Sequence, residues 1–91
     1  MARKFQLTAT KYESFIVEEF DPDVHPWPRG VYQISDESGT ISNMYYIGYD
    51  IVKSAPISKG DLIAYDELGN VRRLFVRGSS ELADYRIDSI N

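Results

Sequence analysis

Apolar and polar side chains alternate along several stretches of this chain, and the alternation predicts β-strands. Residues 4–9, KFQLTA, carry apolar side chains at every second position, which is the period of a strand with one buried face. Residues 31–35, VYQIS, predict another strand. The aromatic and β-branched run 44–52, MYYIGYDIV, predicts one central strand, and Gly48 within it predicts a bulge or a close backbone approach.

The stretch 59–76, KGDLIAYDELGNVRRLFV, predicts a hairpin. Two apolar runs, 62–65 and 71–76, flank DELGN, and a loop of this length that contains Gly closes a hairpin. We expect Gly69 to relieve backbone strain in the turn and Asp66–Glu67 to lie at its solvated tip. The side chains predicted to enter the core are Leu62, Ile63, Leu74 and Val76.

The segments between these strands contain turn-forming residues. Three prolines in 21–30, DPDVHPWPRG, remove backbone donors and break the strand pattern. DESGT, 36–40, predicts a turn, and SAPISKG, 54–60, predicts a connector. SSELAD, 79–84, predicts a single helical turn before a last short strand over 85–90.

Residues 12–20, YESFIVEEF, fit two interpretations. Their apolar positions could line a strand or one side of a helix, and the β-branched pair Ile16–Val17 favours the strand. Many short strands with at most one short helical turn predict an all-β fold, a small curved antiparallel sheet or barrel. A helix over 12–20 would make the fold α+β instead.

Length and charge narrow the class of protein. The 91 residues allow one domain, over 1–91, with a single modest core. Fourteen acidic residues against ten basic ones give a net charge of −4, which disfavours a general nucleic-acid binder. We find no apolar run of bilayer length and no secretory signal pattern, and we therefore expect a soluble intracellular protein that does not enter a membrane.

The sequence offers little for catalysis or metal binding. His25 is the single histidine and lies in the proline-rich segment, where a solvated loop position is the better interpretation. One histidine without cysteine cannot supply a usual zinc site, and no nucleophile or phosphate-binding motif occurs. We therefore expect a non-enzymatic protein with no cofactor and no metal.

Two sets of residues are candidate binding surfaces. The first is acidic, and it is either a solvated face or a mimic of nucleic-acid phosphates that blocks a DNA-binding protein. Its members are Glu13, Glu18, Glu19, Asp21 and Asp23. The second is aromatic and basic, and it could contact a protein partner or stack on nucleotides. Its members are Trp27, Arg29, Tyr45, Tyr46, Tyr49, Arg72 and Arg73.

Trp27 lies between two prolines and has two interpretations of its own. It could fold over the open end of the sheet as a lid that completes the core. It could instead be an exposed anchor for a partner, because a rigid loop presents an aromatic side chain at low entropic cost. Arg29 beside it would suit a carboxylate on that partner.

Three segments resemble a family of small phage and prophage accessory proteins. KFQLTATKYESFIVEE is similar to the start of that family. SKGDLIAYDELGN resembles its PGDYIIxGxxGE-type core, with Gly60–Asp61 and Gly69 at the same mutual spacing. SSELADYRID resembles its closing turn and strand, with Tyr85 at the aromatic position.

The resemblance implies a phage origin and an accessory role, and it implies no mechanism. The leading hypothesis is a binding module that acts on a host protein in the host cytoplasm, in counter-defence or host take-over. One alternative is a structural component of the virion, such as a capsid decoration or adaptor protein. Another is a nucleotide or single-stranded nucleic-acid binder that uses Tyr and Arg side chains.

Overall fold

The computed structural model describes the backbone of residues 2–9, 14–47 and 50–90, and the side chains of the same residues except 50–52. Within these ranges the chain forms eight strands and one short 3₁₀ turn, Leu82–Asp84. The strands are β1 (Lys4–Ala9), β2 (Ser14–Glu19), β3 (Val31–Ser35), β4 (Ile41–Ile47), β5 (Asp50–Pro56), β6 (Leu62–Tyr65), β7 (Val71–Phe75) and β8 (Tyr85–Ser89).

The strands form two antiparallel sheets. The larger sheet has the order β7-β6-β2-β1-β8, and the smaller has the order β3-β4-β5. The all-β prediction is confirmed, and the sheets do not close into a barrel. The helical alternative for 12–20 is wrong over Ser14–Glu19, which pairs with both β1 and β6.

The apolar side chains form two clusters on opposite faces of the larger sheet. Leu62 and Ile63 are neighbours on β6, so their side chains point to opposite faces, and each is fully buried. The first cluster contains Leu7, Phe15, Val17, Leu62, Ala64, Phe75 and Leu82. The second contains Phe20, Ile57 and Ile63, with Trp27, Val31, Tyr45, Tyr65, Val71 and Leu74 packed against it. The smaller sheet covers the second cluster.

The predicted hairpin over 62–76 is confirmed, with two corrections. Leu62 pairs with Phe75, and the Asp66 amide donates to the Asn70 carbonyl across the turn at 2.9 Å. Asp66 also accepts hydrogen bonds from the backbone within the turn, so it is more than a solvating residue. Val76 follows the last residue of β7 and is 51% exposed, so its predicted core position is wrong.

The predicted single strand over 44–52 is wrong. β4 ends at Ile47 and β5 begins at Asp50, and the two pair antiparallel with Tyr45 opposite Ala55. Gly48 and Asp50 interrupt the apolar run, but Gly48 predicted a bulge or close approach within one strand rather than a reversal. Gly48 lies outside the described residues, and Ser54–Pro56, predicted as a connector, belongs to β5.

Asp61 stabilises the base of the hairpin through hydrogen bonds. It belongs to the segment that resembles the phage accessory proteins. Its Oδ2 accepts a hydrogen bond from the Ser58 amide, and its Oδ1 accepts one from the Arg77 amide, each at 3.0 Å. Asp61 is 5% exposed. Its carboxylate therefore satisfies two backbone donors that flank the hairpin, which is a structural role.

Candidate ligand pocket

A small pocket lies where the segment entering β3 meets β4 and the 66–70 turn. Its volume is about 180 Å³. Its lining residues are Arg29, Gly30, Tyr46, Gly69, Asn70 and Val71. Tyr46 belongs to the smaller sheet and Val71 to the larger, so the pocket lies at the junction of the two sheets.

Two glycines give the pocket its shape. Gly30 has φ of +87°, and a Cβ atom there would lie 2.8 Å from Val71 Cγ2. Gly69 has φ of +83°, and a Cβ atom there would lie 2.6 Å from Arg29 Nη1. A side chain at either position would be strained by the backbone; at Gly30 it would also collide with Val71, whereas at Gly69 it would displace the flexible end of Arg29.

Arg29 is fixed through its backbone, while its guanidinium remains available. Its carbonyl accepts a 2.5 Å hydrogen bond from Tyr65 Oη, and its Cζ lies 5.9 Å from the centroid of the Tyr65 ring. Among the residues that the structure describes, no carboxylate pairs with this guanidinium. Burial raises the pKa of Tyr65; the charge of Glu18 raises it further and that of Arg29 opposes the shift.

The tyrosines of the aromatic set do not form one stacking surface. Tyr45 packs against the second core cluster, and burial raises its pKa, with a smaller contribution from the charge of Asp61. Tyr46 is the next residue along β4, so its side chain points to the other face, where it stacks on Tyr32 with ring centroids 4.8 Å apart. Tyr49 lies outside the described residues.

Trp27 packs on the second core cluster and is half-buried. Its ring meets Phe20 edge-on, with centroids 5.3 Å apart. Its Nε1 donates to the Pro22 carbonyl at 3.2 Å, and the His25 ring stacks on it at 5.2 Å. The ring of Trp27 therefore packs on the core, as the lid interpretation requires.

Arg72 and Arg73 lie away from the pocket. Arg73 pairs with Ala64, and the register shifts by one residue before Val71, so Arg72 is the extra residue of a bulge. Both guanidinium groups lie over the Phe15 ring, at 5.2 and 5.4 Å from its centroid. Arg73 also forms an ion pair with Glu81.

The predicted acidic face loses one member. Glu19 is 7% exposed, and its carboxylate accepts hydrogen bonds from Arg3 at 2.6 Å and from Arg77 at 2.8 Å. Because this charge is buried and paired, Glu19 cannot contribute to an exposed acidic surface. Glu18 and Asp21 are partly exposed and Asp23 is exposed, while Glu13 lies outside the described residues.

Sequence reasoning found Arg29 and Tyr46 but missed the rest of the pocket. Gly30, Gly69, Asn70 and Val71 line it because the turn folds against the segment before β3. The positive φ expected at Gly69 was a usable signal for a turn, but no pattern paired that turn with Arg29, which is 40 positions earlier in the sequence.

Comparison with known proteins gives no further assignment. No family model, curated protein or solved structure matches this chain. Across residues 2–9, 14–47 and 50–90, no helix is long and apolar enough to span a membrane. Among the same residues, no three acidic or histidine side chains are grouped as they would be to hold a metal ion.

Proposed function

We propose that this protein is a non-enzymatic binding module of phage origin that acts on a host protein in the host cytoplasm. The resemblance of residues 58–70 to the core of phage accessory proteins supports the origin. One observation carries the binding role: an Arg29 guanidinium without a carboxylate partner in the described part of the chain borders a small pocket with apolar walls.

The volume and the lining residues of the pocket support recognition of a protein rather than of a cofactor. Cofactor and small-molecule sites are usually roughly 300–1,000 Å³ in volume and surround most of their ligand. A pocket of about 180 Å³ has room for one side chain of a partner. Arginine and tyrosine are also the residue types that are enriched at interface hot spots, and Arg29 and Tyr46 supply one of each.

Affinity capture from host lysate tests this proposal. The bait proteins are the wild type, the double variant Arg29→Ala with Tyr46→Ala, and Arg86→Ala as the control. Arg86 is an exposed arginine on β8 that pairs with Asp88. We expect the wild type and the control to retain the same host protein, and the double variant to lose it. The proposal fails if no protein is enriched over empty resin, or if the double variant retains the same protein.

A second candidate function is binding of single-stranded nucleic acid. The Tyr32–Tyr46 stack beside Arg29 favours it, because bases stack on aromatic rings and arginine pairs with phosphate. The net charge of −4 opposes it. Titration with a labelled oligonucleotide at two salt concentrations separates the two functions. Salt-dependent binding that Arg29→Ala abolishes would favour the nucleic-acid function.

A further inference from the structure

We propose that the pocket at Arg29 binds a single carboxylate group of the protein partner. This inference rests on the proposed function and adds the chemistry of the group that is recognised. The carboxylate is either an aspartate or glutamate side chain of the partner or its C-terminus.

Arg29 combines a guanidinium that has no carboxylate partner in the described part of the chain with a position at the pocket. A guanidinium presents its N–H donors in a planar fork that matches the two oxygens of a carboxylate. Four arginines of the described residues already have such a partner: Arg3 and Arg77 with Glu19, Arg73 with Glu81, and Arg86 with Asp88. Arg29 and Arg72 have no carboxylate partner among those residues, but Arg72 lies over the Phe15 ring, whereas Arg29 borders the pocket.

The other lining residues can contact the part of the ligand that carries the carboxylate. The Tyr46 ring and the Val71 side chain are apolar walls against which methylene or methyl groups can pack. The Asn70 amide nitrogen of the backbone is already used, since it donates to Asp66 Oδ1 at 2.9 Å. Within the described ranges the Asn70 carboxamide has no hydrogen-bond partner, and its nitrogen can donate a hydrogen bond to a carboxylate oxygen.

The charge around the pocket favours a carboxylate over a phosphate. Arg29 is the one cationic side chain among the six lining residues, whereas phosphate sites usually combine several cations or backbone amides. The negative charge of Glu18 raises the pKa of Tyr65, whose ring centroid lies 5.9 Å from Arg29 Cζ, and such repulsion disfavours a doubly charged phosphate more than a singly charged carboxylate. The net charge of −4 acts in the same direction.

Nuclear magnetic resonance with two isosteric probes tests this inference. The ¹⁵N-labelled protein, including the Arg29 Nε–H signal, is titrated with propionate and separately with propionamide at constant ionic strength. We expect propionate to shift the signals of Arg29, Tyr46 and Val71 along a saturating curve with a dissociation constant on the order of millimolar, as for a fragment of this size. Propionamide, which lacks the charge, should leave them unchanged.

Two variants and a competing anion test whether propionate binds specifically through Arg29. Arg29→Gln should weaken propionate binding at least tenfold, while Arg86→Gln should leave it unchanged. Inorganic phosphate should bind more weakly than propionate. Equal shifts from propionamide, binding that survives Arg29→Gln, or tighter binding of phosphate would each overturn the inference.

Two peptides identify the source of the carboxylate. One is amidated at its C-terminus and contains a single internal glutamate; the other has a free C-terminus and no acidic side chain. The peptide that binds more tightly through Arg29 identifies the source. If neither peptide binds, the inference is overturned. If lysate capture depends on Arg29 but no carboxylate binds, this inference fails and the proposed function stands. If propionate binds but no host protein is captured, the proposed function fails instead.

Discussion

Arg77 Nη2 lies 2.8 Å from Glu19 Oε2, and this contact joins two residues that are 58 positions apart in the sequence. It ties the end of β2 to the segment that follows β7. Arg3 donates two hydrogen bonds to the other carboxylate oxygen, Glu19 Oε1. A buried carboxylate needs such partners because an unpaired buried charge is strongly unfavourable.

We therefore expect Glu19→Gln to destabilise the fold by about 2 kcal/mol, because hydrogen bonds to a charged group contribute more than neutral ones. Chemical denaturation of wild type and variant measures the difference. Glu18→Gln is the control, since Glu18 is the neighbouring residue on the opposite face of β2 and should change stability by less than about 0.5 kcal/mol. Equal midpoints for Glu19→Gln and wild type would contradict a stabilising role for this cluster.

Gly30→Ala should cost more than Gly39→Ala. Both glycines have nearly the same φ, +87° and +85°, so both alanine variants incur similar backbone strain of about 1 kcal/mol. A Cβ atom at Gly30 would also lie 2.8 Å from Val71 Cγ2, whereas nothing lies within 4 Å of one at Gly39. The difference between the two denaturation midpoints therefore reports the contact with Val71. Identical losses would contradict a close approach of the two residues.

Trp27→Ala should destabilise the protein by about 3 kcal/mol, because the ring packs on Phe20 and the second core cluster. The wild-type fluorescence should be blue-shifted relative to the unfolded protein. Trp27→Phe is the matched variant, which keeps most of the packing and removes the hydrogen bond to the Pro22 carbonyl. Emission at the wavelength of the unfolded protein, with stability unchanged in Trp27→Ala, would support the anchor interpretation instead.

Arg73→Ala should cost about 1 kcal/mol and Arg72→Ala less than about 0.5 kcal/mol. Arg73 lies 4.5 Å from the centroid of the Phe75 ring and pairs with Glu81, whereas Arg72 is the exposed residue of the bulge. A double-mutant cycle with Glu81→Ala isolates the ion pair. A coupling energy of zero would assign the loss to the other contacts of Arg73, with the Phe15 and Phe75 rings and with Tyr85 Oη.

The stability of the protein should fall with rising pH above about pH 10 in a way that depends on Tyr65. Burial raises the pKa of Tyr65 above its ordinary value of 10.0. Above that value the unfolded state releases the phenolic proton while the folded state retains it, so the contribution of Tyr65 is present below pH 10 and is lost as the pH rises. Tyr65→Phe should show a shallower decline between pH 9 and 11 by denaturation at each pH. Parallel curves would argue against a raised pKa.

The sequence predicted those parts of the fold that depend on local pattern. The hairpin at 62–75 followed from two apolar runs around DELGN, and β1 followed from strict alternation. The reversal between β4 and β5 was missed because aromatic and β-branched residues of MYYIGYDIV favour a strand on both sides of it, and Gly48 predicted only a bulge or a close approach. Local pattern also gives no information on pairing over long separations, and for that reason Glu19 was assigned to a solvated face.

The candidate site, too, could be predicted from the sequence only in part. Arg29 and Tyr46 were chosen by residue type, which reports the chemistry that a side chain can perform. Their meeting with Asn70 and Val71 depends on how the two sheets dock, and that is set by the second core cluster. Residue type alone could not separate Arg29 from Arg72 and Arg73, whereas the ion pairs and the bulge separate them.

The smaller sheet has consequences for how copies of this protein behave at high concentration. β3 is an outer strand of that sheet, and the exposed Ile34 lies on it. Outer strands with β-branched side chains can pair with the same strand of another molecule. Asp36 and Glu37 place negative charge at the end of this strand, and like charges on two copies repel each other. Salt screens such repulsion, so association of copies through this strand should increase at high ionic strength.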